Sequence, residues 1–83
     1  MSYETLINES IKVWAVFDSG ICPIAMNWRN RQIKFDKVIL KTDLFKGKTK
    51  ITHFVCTNNN ASYELEYNHQ NYLWTLRKIM PKG

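Results

Sequence analysis

Basic side chains concentrated in the middle of the chain are the residues best placed to do chemistry. Eight of the twelve Lys and Arg residues fall at positions 29–50, where two Asp residues oppose them, so this segment carries a net +6 in a chain of net +5. Clustered cations attract the phosphates or carboxylates of an anionic partner. The predicted anion contacts, nucleic acid being the first partner to consider, are Arg29, Arg31, Lys34, Lys37, Lys41, Lys46, Lys48 and Lys50.

The same charges have a second interpretation as a solvated surface. Nine of the twelve cations are Lys, and Lys is the residue that protects exposed sheet edges against pairing with other chains. The sequence leaves open whether the basic residues meet in space.

Aromatic rings could add base stacking to phosphate binding. Trp14 lies opposite the apolar face that Ile11, Val13 and Phe17 form, and Tyr72 follows a turn, so these two rings are the candidate stacking platforms. The alternative is that every ring belongs to the core, because a chain of 83 residues needs large aromatics to bury enough surface.

Catalytic and metal-binding patterns are weak. His53 and Cys56 are three residues apart, and in a strand such residues point to opposite faces, so they do not converge as ligands. Cys22 and His69 supply no second paired spacing. A nucleophilic site would need a Cys or Ser near a His and an acid; these residue types are present, as in almost any protein, but form no specific pattern, and there is no Gly-rich phosphate loop. No catalytic, cofactor or metal site is predicted, and no small-molecule substrate is evident.

Apolar residues alternate with a period of two over most of the chain, which predicts strands. The plainest case is Tyr63, Leu65 and Tyr67, which alternate with the solvent-facing Glu64 and Glu66. Turns are expected at residues 18–20, 29–31, 58–60 and 68–71, a bulge near position 37, a polar loop over 43–50, and a last strand over 72–79.

These elements predict a single all-β domain over residues 1–83, a small antiparallel meander of about six strands forming a curled sheet or partly open barrel. Residues 1–10 fit either a short helix or a frayed strand. Cys22 and Cys56 are expected to be reduced, buried thiols. The start lacks a basic leader with an apolar stretch, and the longest apolar run spans residues 21–26, so we expect a cytoplasmic protein without a membrane segment.

From Pro23 onward the chain resembles a family of small bacterial all-β domains of uncharacterised function. The resemblance rests on Pro23, Met26, Trp28-Arg29-Asn30-Arg31, Ile33, Phe35, Val38-Ile39-Leu40, Tyr63-Glu64-Leu65-Glu66-Tyr67 and Trp74-Thr75-Leu76. Asn30 replaces a frequent Gly, Met26 replaces an aromatic residue, and Lys replaces Trp in the middle loop. The resemblance implies a small bacterial β domain, in a family whose members sometimes accompany proteins of DNA damage tolerance.

The sequence therefore predicts a non-catalytic binding module with a basic face for an anionic partner such as nucleic acid. The alternative is a protein-interaction adaptor or homo-oligomer that uses a sheet edge. Trp14 and Val16 discriminate between the two: a dimer could bury them, whereas nucleic-acid binding requires that they stay exposed beside lysines.

Overall fold

Alternating apolar side chains produce seven strands, which the computed structural model describes over residues 5–81. Their order in the sheet is β3-β2-β1-β7-β6-β5-β4, and each neighbouring pair is antiparallel. The predicted all-β meander is confirmed, with seven strands instead of about six, and the sheet is not closed into a barrel. The strands are β1 (Thr5–Phe17), β2 (Ile21–Trp28), β3 (Arg31–Lys34), β4 (Lys37–Lys46), β5 (Thr49–Thr57), β6 (Ala61–Asn68) and β7 (Trp74–Pro81).

Strand β1 joins the two halves of the sheet because it is long enough to pair with different neighbours along its length. Its residues 5–11 pair with β7, and its residues 12–17 pair with β2. Bulges interrupt the register between Leu6 and Glu9 and between Trp14 and Ala15, and a bulge increases local twist and bends the strand. Of the two alternatives for residues 1–10, the strand holds for 5–10, while 1–4 lie outside the described residues.

The inner face of the curled sheet holds the core. Met26, Phe54, Leu65 and Leu76 are fully buried there. Trp74 contacts Phe54, with 5.5 Å between ring centroids. Strand alternation alone sends these side chains inward, which leaves the next residue of each strand on the outer face.

The link between β3 and β4 ties the two margins of the sheet together at one point. The backbone N–H of Phe35 donates to the Ile24 carbonyl (3.0 Å), and that of Asp36 donates to the Thr57 carbonyl (2.7 Å). Strand β4 then has a bulge between Val38 and Leu40, which confirms the irregularity expected near position 37.

The polar loop predicted over residues 43–50 is wrong. Strand β4 continues to Lys46, and β5 begins at Thr49, so Gly47 and Lys48 alone form the turn. Gly47 has φ of 63°, which a glycine adopts without steric cost. Leu44 pairs with Ile51 across this hairpin, and that apolar contact keeps polar neighbours in strand conformation.

The last strand begins at Trp74 and not at Tyr72, as the sequence suggested. The side-chain carbonyl of Asn68 accepts hydrogen bonds from the backbone N–H groups of Gln70 (2.8 Å) and Asn71 (3.2 Å), which extends the turn. Tyr72 lies in this turn with φ of 62°, a conformation outside the strand region.

The two cysteines differ in environment. Cys56 is buried, and burial raises the pKa of its thiol to about 12. Cys22 is exposed, which corrects the expectation that both are buried, because the outer face carries its side chain opposite Val16. Both thiols are free.

Truncating Leu65 to Ala should lower the free energy of unfolding by about 2–5 kcal/mol, because it leaves a cavity in the centre of the core. The matched control is Leu6→Ala, which removes the same atoms from a side chain that is 72% exposed and should change stability by less than about 0.5 kcal/mol. Urea unfolding followed by Trp fluorescence measures both. Equal effects of the two substitutions would contradict the placement of the core.

Candidate nucleic-acid interface

A row of three residues crosses β1, β2 and β3 on the outer face of the sheet. The register pairs Trp14 with Ala25, and Ala25 with Lys34. Directly opposite residues project from the same face, so Trp14 and Lys34 stand on either side of the Ala25 methyl group. Trp14 is 46% exposed, so a large part of its side chain is open to solvent, two strands away from Lys34.

A second row lies one step along the same face. It consists of Lys12, Asn27 and Gln32, paired in that order across the three strands. Residues two apart on a strand share a face, so Lys12 and Trp14 project together. The ring therefore has a lysine on its own strand and another across the sheet, Lys34.

A shallow depression of about 450 Å³ adjoins these rows at the β2–β3 hairpin. Hydroxyl, ammonium, amide and guanidinium groups surround it, and all of them can donate hydrogen bonds to an anion. Sequence reasoning missed Ser10, Lys12 and Asn27, because only the pairing of β1 with β2 brings them beside the hairpin. The lining residues are Ser10, Ile11, Lys12, Asn27, Arg29 and Asn30.

The hairpin that holds Arg29 is a tight turn, as the sequence predicted. Arg29 and Asn30 have φ of 52° and 62°, and two successive residues with positive φ form the type I′ turn that suits a two-residue hairpin. Trp28 and Arg31 are the pair that closes the turn.

Glu9 fixes the direction of the Arg29 side chain. The Arg29 Nε donates to Glu9 Oε1 (3.3 Å), and the guanidinium lies 4.7 Å from the centroid of the Trp28 ring. Trp28 Nε1 also donates to Glu9 Oε1 (3.1 Å). The hydrogen bond from Arg29 is the main cause that holds the pKa of Glu9 below its usual value, so this carboxylate is ionised and balances part of the arginine charge.

The remaining predicted cations lie elsewhere, because the chain folds back within the basic segment. Lys37 and Lys41 belong to the margin strand β4, and Lys41 Nζ reaches the β1–β2 turn at Gly20. The β4–β5 hairpin holds three more, of which two face carboxylates: Lys46 lies 3.7 Å from Glu66 and Lys50 lies 3.8 Å from Asp43. The eight predicted cations are therefore spread over the β2–β3 hairpin with β3, the edge of β4, and the β4–β5 hairpin with its turn residue Lys48.

A second, smaller depression of about 300 Å³ lies at the β4–β5 hairpin, lined by Lys48, Thr49, Lys50, His69 and Gln70. The backbone N–H of His69 donates to the Lys50 carbonyl (3.0 Å), which holds the turn after β6 against this hairpin. Tyr72 is 72% exposed in that turn. The two candidate stacking rings, Trp14 and Tyr72, thus belong to different parts of the surface.

Thr52, Asp43 and His69 form a hydrogen-bonded trio that resembles a nucleophilic site in composition only. Thr52 Oγ1 donates to Asp43 Oδ1 (2.7 Å), and this hydrogen bond is the main cause that lowers the pKa of Asp43. The hydroxyl has one proton, so His69 Nε2, 2.7 Å away, must donate to Oγ1. Activation of a nucleophile needs the opposite polarity, with the hydroxyl donating to the imidazole. The trio therefore joins β4, β5 and the turn after β6.

Glu66 is a charge centre on the outer face that sequence reasoning did not find. Its Oε1 lies 2.9 Å from both His53 Nε2 and Arg77 Nη1. Burial raises the pKa of Glu66, but the hydrogen bonds with His53 and Arg77 outweigh that effect, so the net pKa lies below its ordinary value. The alternation of β6 indicated a solvent-facing carboxylate, and only the register of three strands could have revealed its partners.

Neither histidine is oriented toward a metal site. His53 contacts Glu66, and His69 contacts Thr52. Within residues 5–81, no group of three or more His, Cys, Asp or Glu side chains is arranged to hold a metal ion. The same part of the chain contains no helix that is long and apolar enough to cross a bilayer.

Comparisons with known proteins identify no relative. No family model, curated protein or solved structure matches this sequence. The resemblance to small bacterial β domains therefore stays a prediction, and the functional argument depends on the geometry of the site.

Replacing Glu66 with Gln should lower the free energy of unfolding at pH 7 by about 1–3 kcal/mol, because Arg77 and Lys46 lose the negative charge that faces them and His53 loses a charged hydrogen-bond partner. The folded-state pKa of Glu66 is depressed, so its ionised form stabilises the fold above the ordinary carboxyl pKa, and this contribution is lost as the pH falls through the depressed value. Urea unfolding at pH 7 and pH 3 should show a smaller loss of stability on acidification in the variant than in the wild type.

The matched control is Glu64→Gln, two residues away on the same face. Glu64 faces Lys78 at 3.8 Å, a longer contact than either 2.9 Å contact of Glu66. Its substitution should cost less at pH 7. A larger cost for Glu64→Gln would contradict the assignment of Glu66 as the charge centre.

Proposed function

We propose that this protein is a non-catalytic module that binds single-stranded nucleic acid through one outer face of β1, β2 and β3. We call this surface the Trp14 face and define it by Lys12, Trp14, Asn27 and Lys34; Arg29 borders it at the β2–β3 hairpin, with its guanidinium against Trp28 and Glu9. The observation that supports the proposal is a half-exposed tryptophan with a lysine on its own strand and a second lysine across the sheet. Basic side chains combined with an exposed aromatic ring are typical of surfaces that bind unpaired bases.

Lys12 and Lys34 are the expected phosphate contacts, because their charges are not balanced by a neighbouring carboxylate in the described part of the chain. Within the described residues, neither lysine forms an ion pair, so each can release the counterions of a phosphate without losing a carboxylate partner. Arg29 already has Glu9, and its net contribution to affinity is expected to be smaller. Its fixed direction instead suits positioning of one phosphate at the hairpin depression.

The Trp14 ring supplies stacking, and stacking requires a base that is not paired within a duplex. Every base has a π face, so this contact tolerates sequence variation. The amide groups of Asn27 and Asn30 at the depression could donate to phosphate or to a base edge. We therefore infer that the module prefers single strands over duplexes and has little sequence specificity.

The proposed location is the cytoplasm. Cys22 is free and exposed, and an exposed free thiol is more stable in a reducing compartment than in an oxidising one.

Replacing Trp14 with Ala should weaken binding of a labelled oligonucleotide by about 1–3 kcal/mol, the usual value of one base stacked on an aromatic ring. Trp14→Phe should retain most of the affinity, because a ring remains, and this variant also controls for folding. Fluorescence anisotropy at about 50 mM salt, with single strands and duplexes of the same sequence, gives both affinities. Equal affinity for the two forms, unchanged in Trp14→Ala, would contradict the stacking proposal.

Replacing Lys12 or Lys34 with Ser should reduce the slope of log affinity against log salt by about 1 for each lysine. The matched control is Lys48→Ser, which removes the same charge from the β4–β5 hairpin and should leave the slope nearly unchanged. If replacement of Lys46, Lys48 and Lys50 abolishes binding while Lys12→Ser and Lys34→Ser do not, the site lies at the second depression. Absence of binding at tens of micromolar protein and low salt would refute the proposed function.

A further inference from the structure

Strand β4 forms one margin of the sheet, and in the described part of the chain only β5 pairs with it. The other margin strand, β3, has four residues, whereas β4 has ten. Leu40 and Phe45 on β4 are 56% and 67% exposed. A long margin strand with exposed apolar side chains offers unpaired backbone groups to another strand.

We propose that two copies of this chain associate through β4, with the two strands antiparallel and Thr42 opposite Thr42 of the partner subunit. This pairing would extend the seven-stranded sheet across a twofold axis, in the manner of strand addition. The proposal does not depend on nucleic-acid binding, because none of the residues that define the Trp14 face lies on β4.

Charge complementarity favours a second copy of this chain as the partner that pairs with β4. In the proposed register, Lys41 lies opposite Asp43 of the partner subunit, and the twofold axis repeats the pair. Within the described residues Lys41 has no ion pair, and the Asp43 side chain is 47% exposed with its nearest cation at 3.8 Å. Asp43 accepts a hydrogen bond from Thr52 through Oδ1 and faces Lys50 through Oδ2, but its side chain is about half exposed, so a lysine across the strands can still approach it.

Apolar side chains agree with the same register. Leu40 lies opposite Leu44 of the partner subunit, again twice. Leu40 is 56% exposed in one copy, while Leu44 is half-buried against its own hairpin. Directly opposite apolar residues in antiparallel strands contact each other, so the pairing would remove Leu40 from water.

Neighbouring registers are unfavourable for a simple reason. A slip of one position on each strand places Lys41 opposite Lys41 of the partner subunit, and a slip in the other direction places Asp43 opposite Asp43 of the partner subunit. Like charges directly opposite destabilise a strand pair. Asp43 therefore favours the proposed alignment over the two nearest ones.

The dimer should be weak because an edge contact of this kind is small. One strand from each copy buries far less than the ~1,000 Å² that stable interfaces exceed. We therefore expect a dissociation constant on the order of 10–100 µM. Sedimentation velocity from 5 µM to about 1 mM protein covers this range.

Charge reversal tests the pairing and its register together. Lys41→Asp places two Asp residues opposite each other at both ends, and Asp43→Lys does the same with Lys, so each variant alone should dimerise at least about tenfold more weakly than the wild type. An equimolar mixture of the two variants restores opposite charges at both positions and should form a heterodimer. Lys48→Asp changes the same charge in the turn outside the pair and is the matched control.

Folding is controlled separately, because Asp43→Lys also loses the hydrogen bond from Thr52. Circular dichroism shows whether each variant is folded, and if Asp43→Lys is not, Lys41→Asp against Lys48→Asp decides the question. A monomeric wild type at 1 mM would overturn the proposal and leave a strand of a different protein as the occupant of this edge. A Lys41→Asp variant that dimerises as well as Lys48→Asp would overturn it too.

Discussion

A single sheet has no second layer, so it must cover its apolar face by curling on itself. This constraint explains why the core side chains of β2, β5, β6 and β7 converge on one inner surface, and why β1 has two bulges. One bulge lies on each side of the point, between residues 11 and 12, where the strand changes neighbours, and each adds twist. The link between β3 and β4 then needs only two backbone hydrogen bonds to hold the margins together, those of Phe35 and Asp36. Whatever lies on the outer face remains available for binding.

Sequence patterns predicted the strands and tight turns well, but they did not predict which residues lie beside each other in the sheet. Period-two alternation identified the strands, and Asn30 marked a tight hairpin, since both signals are local. The polar loop over 43–50 was wrong because Asp43 and Lys46 are polar at the margin of a sheet, where polar residues are tolerated. Tyr72 was assigned to a strand because alternation continues through a turn that the Asn68 side chain stabilises. Both cases are decided by long-range contacts, which the local composition of the sequence does not reveal.

The charged residues of the candidate site show the same limit of prediction from sequence. Eight basic residues adjacent in sequence are divided among three parts of the surface, since each hairpin reverses the chain. Glu9, Asp43 and Glu66 each face one of these cations, although Glu9 and Glu66 are distant in sequence. Conversely, Lys12 lies outside the basic segment and joins the Trp14 face through the pairing of β1 with β2. Spatial charge follows from register, which the sequence alone does not specify.

A lysine on a margin strand can protect the edge against pairing, whereas a lysine in a binding site contacts a ligand. The sequence of β4 helps to distinguish these two roles. An edge whose only charged residues are lysines offers a second copy no opposite charge in any register. Asp43 breaks that uniformity on β4, because it would lie opposite Lys41 in the proposed alignment, whereas the two nearest alignments would place like charges opposite each other. Lys34, in contrast, lies on a margin strand of four residues beside a half-exposed ring, where a short edge already limits pairing. A positive charge there fits the proposed phosphate contact better than edge protection.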